Sequence, residues 1–179
     1  MKKALWVVRD KITTAKGIDD LIEDAATRGI FDLVVQVRGR GDAYYRSDLE
    51  PRAEVLLEDI DPLDRLIRYG GTAGIRVHAW ANVYFVWSHP ERALPKDPKH
   101  LVNAHPDWLL RPDGVAALDP AGGKDWEGIY TDPANPAATA HTLRYSRTSP
   151  AATGSRASTT TTSAIRRSRT RKALPITRT

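Results

Sequence analysis

Along the first 85 residues the apolar positions switch between two spacings, and this switching is the chain's main structural signal. Residues 4–8, Ala-Leu-Trp-Val-Val, form a compact β-prone run that ends at Arg9 and Asp10, which predicts a first strand. Ile18, Leu21, Ile22, Ala25 and Ala26 then recur at three- and four-residue spacing, the stripe of an amphipathic helix, with Asp19, Asp20, Glu23 and Asp24 on its other side. Those acids are expected near the helix start, where they would complement its dipole, and Gly29 is expected at its C-terminal cap. Leu33, Val34, Val35 and Val37 form a continuous apolar run, which predicts a second strand buried on both faces. Strand, helix and strand with short connections make a βαβ unit, hence parallel pairing and a right-handed crossover.

The second strand ends in polar residues. Gln36, Arg38, Arg40 and Asp42, spaced by Gly39 and Gly41, fall where a parallel strand gives way to its loop, the place where ligand sites of α/β folds collect. Gly-Arg-Gly is too short for a phosphate loop. Several hydrogen-bonding side chains at one strand end suit a ligand with many hydroxyls. From residue 44 to 58 the pattern loosens, and an excursion over the strand ends is expected, carrying Tyr44, Tyr45 and Arg52.

Asp61-Pro62 reads as an N-cap followed by a proline in the first turn, and Leu63, Leu66 and Ile67 begin a second helical stripe. Val77, Ala79, Ala81 and Val83 alternate with His78, Trp80, Asn82 and Tyr84, which predicts a third strand. Residues 89–128 are rich in proline and glycine and show no sustained period, so a long loop region is expected there, with its tryptophans supplying some packing. Residues 129–133 read as an extended piece entering a helix near Ala137.

Four separated segments, in order, carry a resemblance: residues 36–45, Gln-Val-Arg-Gly-Arg-Gly-Asp-Ala-Tyr-Tyr; 49–52, Leu-Glu-Pro-Arg; 77–82, Val-His-Ala-Trp-Ala-Asn; and 130–133, Tyr-Thr-Asp-Pro. They resemble the glycosyl-hydrolase-like 10 family over roughly residues 4–142. The resemblance implies a (β/α)8 barrel that hydrolyses O-glycosidic bonds of a polysaccharide, with a carbohydrate substrate, no cofactor, and an envelope or secreted location. It places a central Asp at the end of the fourth strand. The candidate substrate-binding residues are Arg9, Gln36, Arg38, Asp42, Trp80, Asn82 and Asp132, since aromatic faces cover sugar rings while Arg, Asn, Gln and Asp satisfy hydroxyls. Each also has a structural reading: Trp80 as core packing, Asn82 as a partner for backbone groups, Asp132 as a helix cap.

Length changes this picture, because 179 residues fall short of the roughly 250 of a complete barrel. The expected fold is therefore α/β, a partial (β/α)8 barrel of the first three βα units in residues 1–143, followed by a disordered basic tail over residues 144–179. Charge separates the two parts. Of 27 Lys and Arg residues nine lie after Leu143, where there is no Asp or Glu, so the net charge of +5 conceals a mildly acidic body. One reading of the tail is a module that binds nucleic acid or an anionic surface. The reading that explains more is a slipped coding frame: rereading each codon from its third base permits the family's fourth helix and strand. The central Asp would then fall in residues 159–162, all threonine as translated, so no catalytic residue is assigned and the chain as given is expected to be inactive.

There is no cysteine, and so neither a disulfide framework nor a thiolate site. His78, His105 and Asp132 match no short metal motif, and no metal is expected. No G-x-S-x-G run suggests a serine hydrolase. No signal peptide or membrane span is visible, which makes the chain cytoplasmic as written.

Overall fold

The structure, a computed structural model, describes residues 3–148 and 157–162. Its main body is a sheet of four parallel strands whose spatial order is their chain order: β1 (Lys3–Val7), β2 (Ile30–Arg38), β3 (Arg76–Asn82) and, last, the strand Ala157–Thr162. Helices α1 (Ala15–Thr27) and α2 (Pro62–Thr72) join the first three. Val7, Leu33, Val35, Val37, Val77 and Ala79 point to these helices and form one core with Ile18, Ile22, Leu63 and Leu66. The two helices lie side by side, with Arg65 bridging both carboxylate oxygens of Asp19 at 2.9 and 2.6 Å, as two successive crossovers of one hand require.

The period-2 alternation of β3 is seen directly, its residues being buried at Val77, Ala79 and Ala81 and half-buried between them. In β2 the expected burial on both faces is corrected at Val34, which is only half-buried. Its face also carries Trp6, 59% exposed, and the half-buried His78 and Trp80. The helix starts also differ in detail. Thr14 caps α1, accepting from the Gly17 amide at 3.1 Å, so the helix begins before the apolar stripe and its first turn holds no acid. Gly29 does adopt a left-handed conformation, φ 65°, just beyond the end of α1. Asp61 caps α2 by accepting from the Asp64 amide at 2.9 Å, with Pro62 following. Asp61→Ala is expected to lower stability by about 1 kcal/mol, read as a shifted urea midpoint.

Between β3 and the last strand lies a small second layer. β4 (Phe85–Trp87) pairs antiparallel with β5 (Ile129–Tyr130), and a short helix α3 (Leu101–Ala104) packs beside them. Val86, Trp87, Leu101, Val102 and Ile129 form its core; the long loop region expected over residues 89–128 contributes Leu101 and Val102 of α3, with Trp108 packed against them. The excursion after β2 also packs inward: Tyr44 and Tyr45 are buried in the main core, which corrects their expected place over the strand ends.

Helix α4 (Pro136–Thr148) begins at the Asn135 side chain, which accepts from the Ala137 and Ala138 amides at 2.9 and 3.2 Å. It runs past the expected boundary at Leu143, and Tyr145 is buried against the guanidinium of Arg38, 4.5 Å from its ring centroid. β6 (Ala157–Thr162) then pairs in parallel with β3, Thr160 opposite Trp80. A disordered tail starting at residue 144 is thus corrected for these stretches. Threonine is β-branched and suits a strand. The rest of the expected tail, residues 149–156 and 163–179, lies outside the described residues.

His100 ties the second layer to the turn after β2. Its Nε2 donates to the Arg40 carbonyl at 2.7 Å while its Nδ1 accepts from the Val102 amide, which fixes a neutral ring. Burial lowers its pKa, opposed by the bond to Arg40 and by the charges of Asp42 and Glu50. A ring that binds its proton more weakly when folded contributes stability above the ordinary value of 6.5 and loses it as pH falls below that. The urea midpoint is expected to drop from pH 7 to pH 5, and to drop less in His100→Gln. An equal drop in both proteins contradicts this role.

Candidate functional site

The carboxyl ends of β1, β2 and β3 bring five of the seven candidate residues together. Arg9 opens the turn after β1 and donates from Nη1 to Gln36 Oε1 at 3.0 Å. Its guanidinium lies flat across Gly39, where an added Cβ would stand 2.6 Å from Arg9 Cδ and Nη1. A side chain at this position would displace the far end of Arg9. Trp80 Nε1 donates to Asn82 Oδ1 at 3.1 Å, and Asn82 Nδ2 donates to the Gly39 carbonyl at 2.9 Å. The two ends of the Asn82 amide therefore join the tryptophan to the β2 turn. Trp6 stands edge-on to Trp80, with ring centroids 5.3 Å apart.

Arg38 is placed differently. It is 1% exposed and forms an ion pair with Glu50, Nη2 to Oε1 at 2.7 Å, with Nε also on the carboxylate at 2.8 Å. Nη1 donates to the Asn82 and Val83 carbonyls, so Arg38 anchors the end of β3 to the excursion after β2. Burial alone would raise the Glu50 pKa, but the charge and hydrogen bonds of Arg38, with His141 Nε2 3.6 Å away, outweigh it and hold the carboxyl down at about 2. Tyr44 is pushed up to about 12 by burial and by the charge of Asp42, with Arg9 partly opposing.

The remaining two candidates sit apart from this group. Asp42 Oδ1 accepts from the Arg40 amide at 2.9 Å, beside a cleft between the excursion after β2 and the β4–α3 layer. Asp132 follows β5, where Oδ1 accepts from the Ala134 amide at 2.8 Å and its own amide donates to the Trp108 carbonyl; the cap of α4 is Asn135 instead. Of the imidazoles considered earlier, His78 contacts Asp32 at 2.9 Å and His105 stacks on Trp108 at 3.7 Å. Sequence reasoning missed Trp6, Gly39 and Glu50. Trp6 was legible in principle, because it alternates with Leu5 and Val7. Glu50 lies in the Leu-Glu-Pro-Arg segment, but nothing local shows that it reaches Arg38, twelve residues back.

Chemically, the strand-end group sets the Arg9 guanidinium and the half-buried Asn82 amide beside two indoles, with Gln36 itself buried and bonded to Arg9. The carboxylates described at this end are engaged, Glu50 by Arg38 and Asp42 by a backbone amide.

No family model matches the chain. Over 114 residues the chain is 28% identical to the glycosyl hydrolase YngK of Bacillus subtilis (strain 168), covering 60% of this chain and 22% of that protein. The chain thus spans about a fifth of the length of this curated relative. Among solved structures, α-L-fucosidase isoenzyme 2 from Paenibacillus thiaminolyticus superposes with a TM-score of 0.57 at 15% identity, over 82% of this chain and 21% of that one. A hypothetical protein from Ruminiclostridium thermocellum ATCC 27405 gives 0.54 at 14% identity, over 80% and 68%. These two likenesses are of fold. The α/β architecture with a parallel sheet is shared, and the chain has distant sequence similarity to a glycosyl hydrolase. No helix among the described residues is long and apolar enough to cross a membrane.

Proposed function

We propose that this chain is the strand-one to strand-four portion of a glycosidase-like (β/α)8 barrel of the glycosyl-hydrolase-like 10 type, and that its strand ends bind a carbohydrate. The observation that carries this reading is the clustering of Arg9, Gln36, Trp80 and Asn82 at the carboxyl ends of consecutive parallel strands, with Trp6 beside them. Indole surface buries the apolar face of a sugar ring, and the guanidinium and amides take its hydroxyls. Similarity to a glycosyl hydrolase over 114 residues supports it. β6 follows β3 where a barrel's fourth strand belongs, and it contains the threonines at which the family's central Asp is expected.

Hydrolysis needs a carboxylic acid and a carboxylate flanking the scissile bond. In this reading, residues 1–179 retain glycans but do not turn them over. The test is a glycan panel assayed for both retention and product release. Retention without release supports the proposal. Release that is abolished by Asp132→Asn or Asp42→Asn moves the chemistry to those residues and overturns it.

A finer test uses Gly39. In Gly39→Ala the new methyl displaces the far end of Arg9, a flexible side chain, from Gln36. Folding is expected to change by less than about 0.5 kcal/mol. Glycan retention is expected to weaken about ten-fold, measured by titration calorimetry. Unchanged affinity removes Arg9 from the site.

A further inference from the structure

The sheet of β1, β2, β3 and β6 has helices on one side only. α1 and α2 pack against Val7, Leu33, Val35 and Val77. The other side carries the exposed Trp6 beside the half-buried Val34 and Trp80, and the exposed Val8 continues it, being extended and alternating with Val7. Open indole set among other apolar groups is surface that association removes from water.

Both margins of this sheet are open as well. Among the described residues no strand lies beside the outer edge of β1 or of β6. Sheet edges that stay unpaired are guarded by charged side chains or proline. β6 is Ala-Ser followed by four threonines, and β1 is uncharged from Ala4 to Val7, so neither edge carries such a guard.

The four strands are all parallel, so the two open edges run in the same direction. β6 of one copy can then pair in parallel with β1 of another turned about an axis along the strands. A two-fold turn makes both junctions at once, and four strands from each copy give the eight that close a (β/α)8 barrel, with helices outside and the Trp6 side within. Pairing β6 against β6 would satisfy one edge and leave Trp6 in water.

We propose that two copies of this chain associate in this way, β6 of each adding to β1 of the other, to close an eight-stranded barrel around their joined Trp6 sides. The proposal rests on the barrel part of the reading above and not on its ligand. Arg9, Gln36 and Asn82 remain at the strand ends, around the barrel mouth, so glycan retention and association are separate readouts. In the monomer Val34 stays half-open; in the dimer it is interior, so the cost of Val34→Ala is expected to rise with protein concentration.

The experiment is sedimentation equilibrium of the full chain from about 1 to about 100 μM. A monomer–dimer equilibrium with no larger species is expected. Trp6→Lys, which places a charge on the joined side, is expected to raise the dimer dissociation constant at least about ten-fold. Should it fail to fold, Val8→Lys decides in its place, with the same expected result. Hydrogen exchange then locates the contact: from dilute to concentrated protein, amides of β1 and β6 are expected to slow together, and by more than those of α1 and α2. A monomer at every concentration, growth into larger or open-ended species, a dimer indifferent to the charge, or added protection at one edge alone each overturns the proposal. A dimer that retains no glycan leaves the closure standing and removes the ligand reading, whereas a monomer that retains glycans does the reverse.

Discussion

Glu50→Ala is expected to destabilise the protein by about 3–5 kcal/mol, a large share of the roughly 5–15 kcal/mol that holds a typical domain together. Its side chain is fully buried and its one guanidinium partner nearly so. Removing the carboxylate strands the positive charge of Arg38 inside the protein, and water cannot reach it there. Arg38 also holds the carbonyls of Asn82 and Val83, so the end of β3 loosens together with Trp80 and Asn82. Glycan retention should therefore fall with stability. The double variant Arg38→Met with Glu50→Leu is expected to be more stable than Glu50→Ala, because neither charge is then left alone. Urea unfolding of the three proteins decides it: if the double variant is the least stable, the carbonyl tethers outweigh the ion pair.

Leu33→Ala is expected to cost about 2–5 kcal/mol, and Val34→Ala less than about 1 kcal/mol. The two residues are adjacent in β2 and both apolar, yet Leu33 is 0% exposed beneath α1 and α2 while Val34 faces the half-open side with Trp6. The contrast separates the two faces of the sheet by energy alone. Equal costs would mean that the second face is as well packed as the first, and that the strand-end group is closed to ligands.

The sheet was legible because its signals are periodic and local. β1, β2 and β3, both crossover helices and the caps at Asp61 and Gly29 follow from spacing and from single residues with one strong conformational preference. What was misread has physical causes. Val34 belongs to an unbroken apolar run, and a run cannot reveal how well each face is covered; packing decides that. α1 begins at Ala15 because Thr14 supplies a cap, three residues ahead of the first stripe residue, so Asp19 and Asp20, expected near the helix start, lie in its second turn. The β4–β5 layer rests on strands of three and two residues, too short to show any period. At the candidate site, the residue types at each strand end could be read off. Which side chains contact one another could not, since Arg9 meets Gln36 across 27 residues and Arg38 meets Glu50 through an excursion with no pattern of its own.

The coincidence of spatial and chain order among β1, β2 and β3 has a consequence for how the chain is made. Each new strand docks on the neighbour synthesised just before it, with a single helix between them, so assembly can follow the ribosome from the N-terminus without waiting for distant sequence. Such growth keeps one edge ready to accept the next strand at every stage. Arg38, reaching from the end of β2 to carbonyls at the end of β3, then acts as a latch that closes only when the third strand has arrived in register.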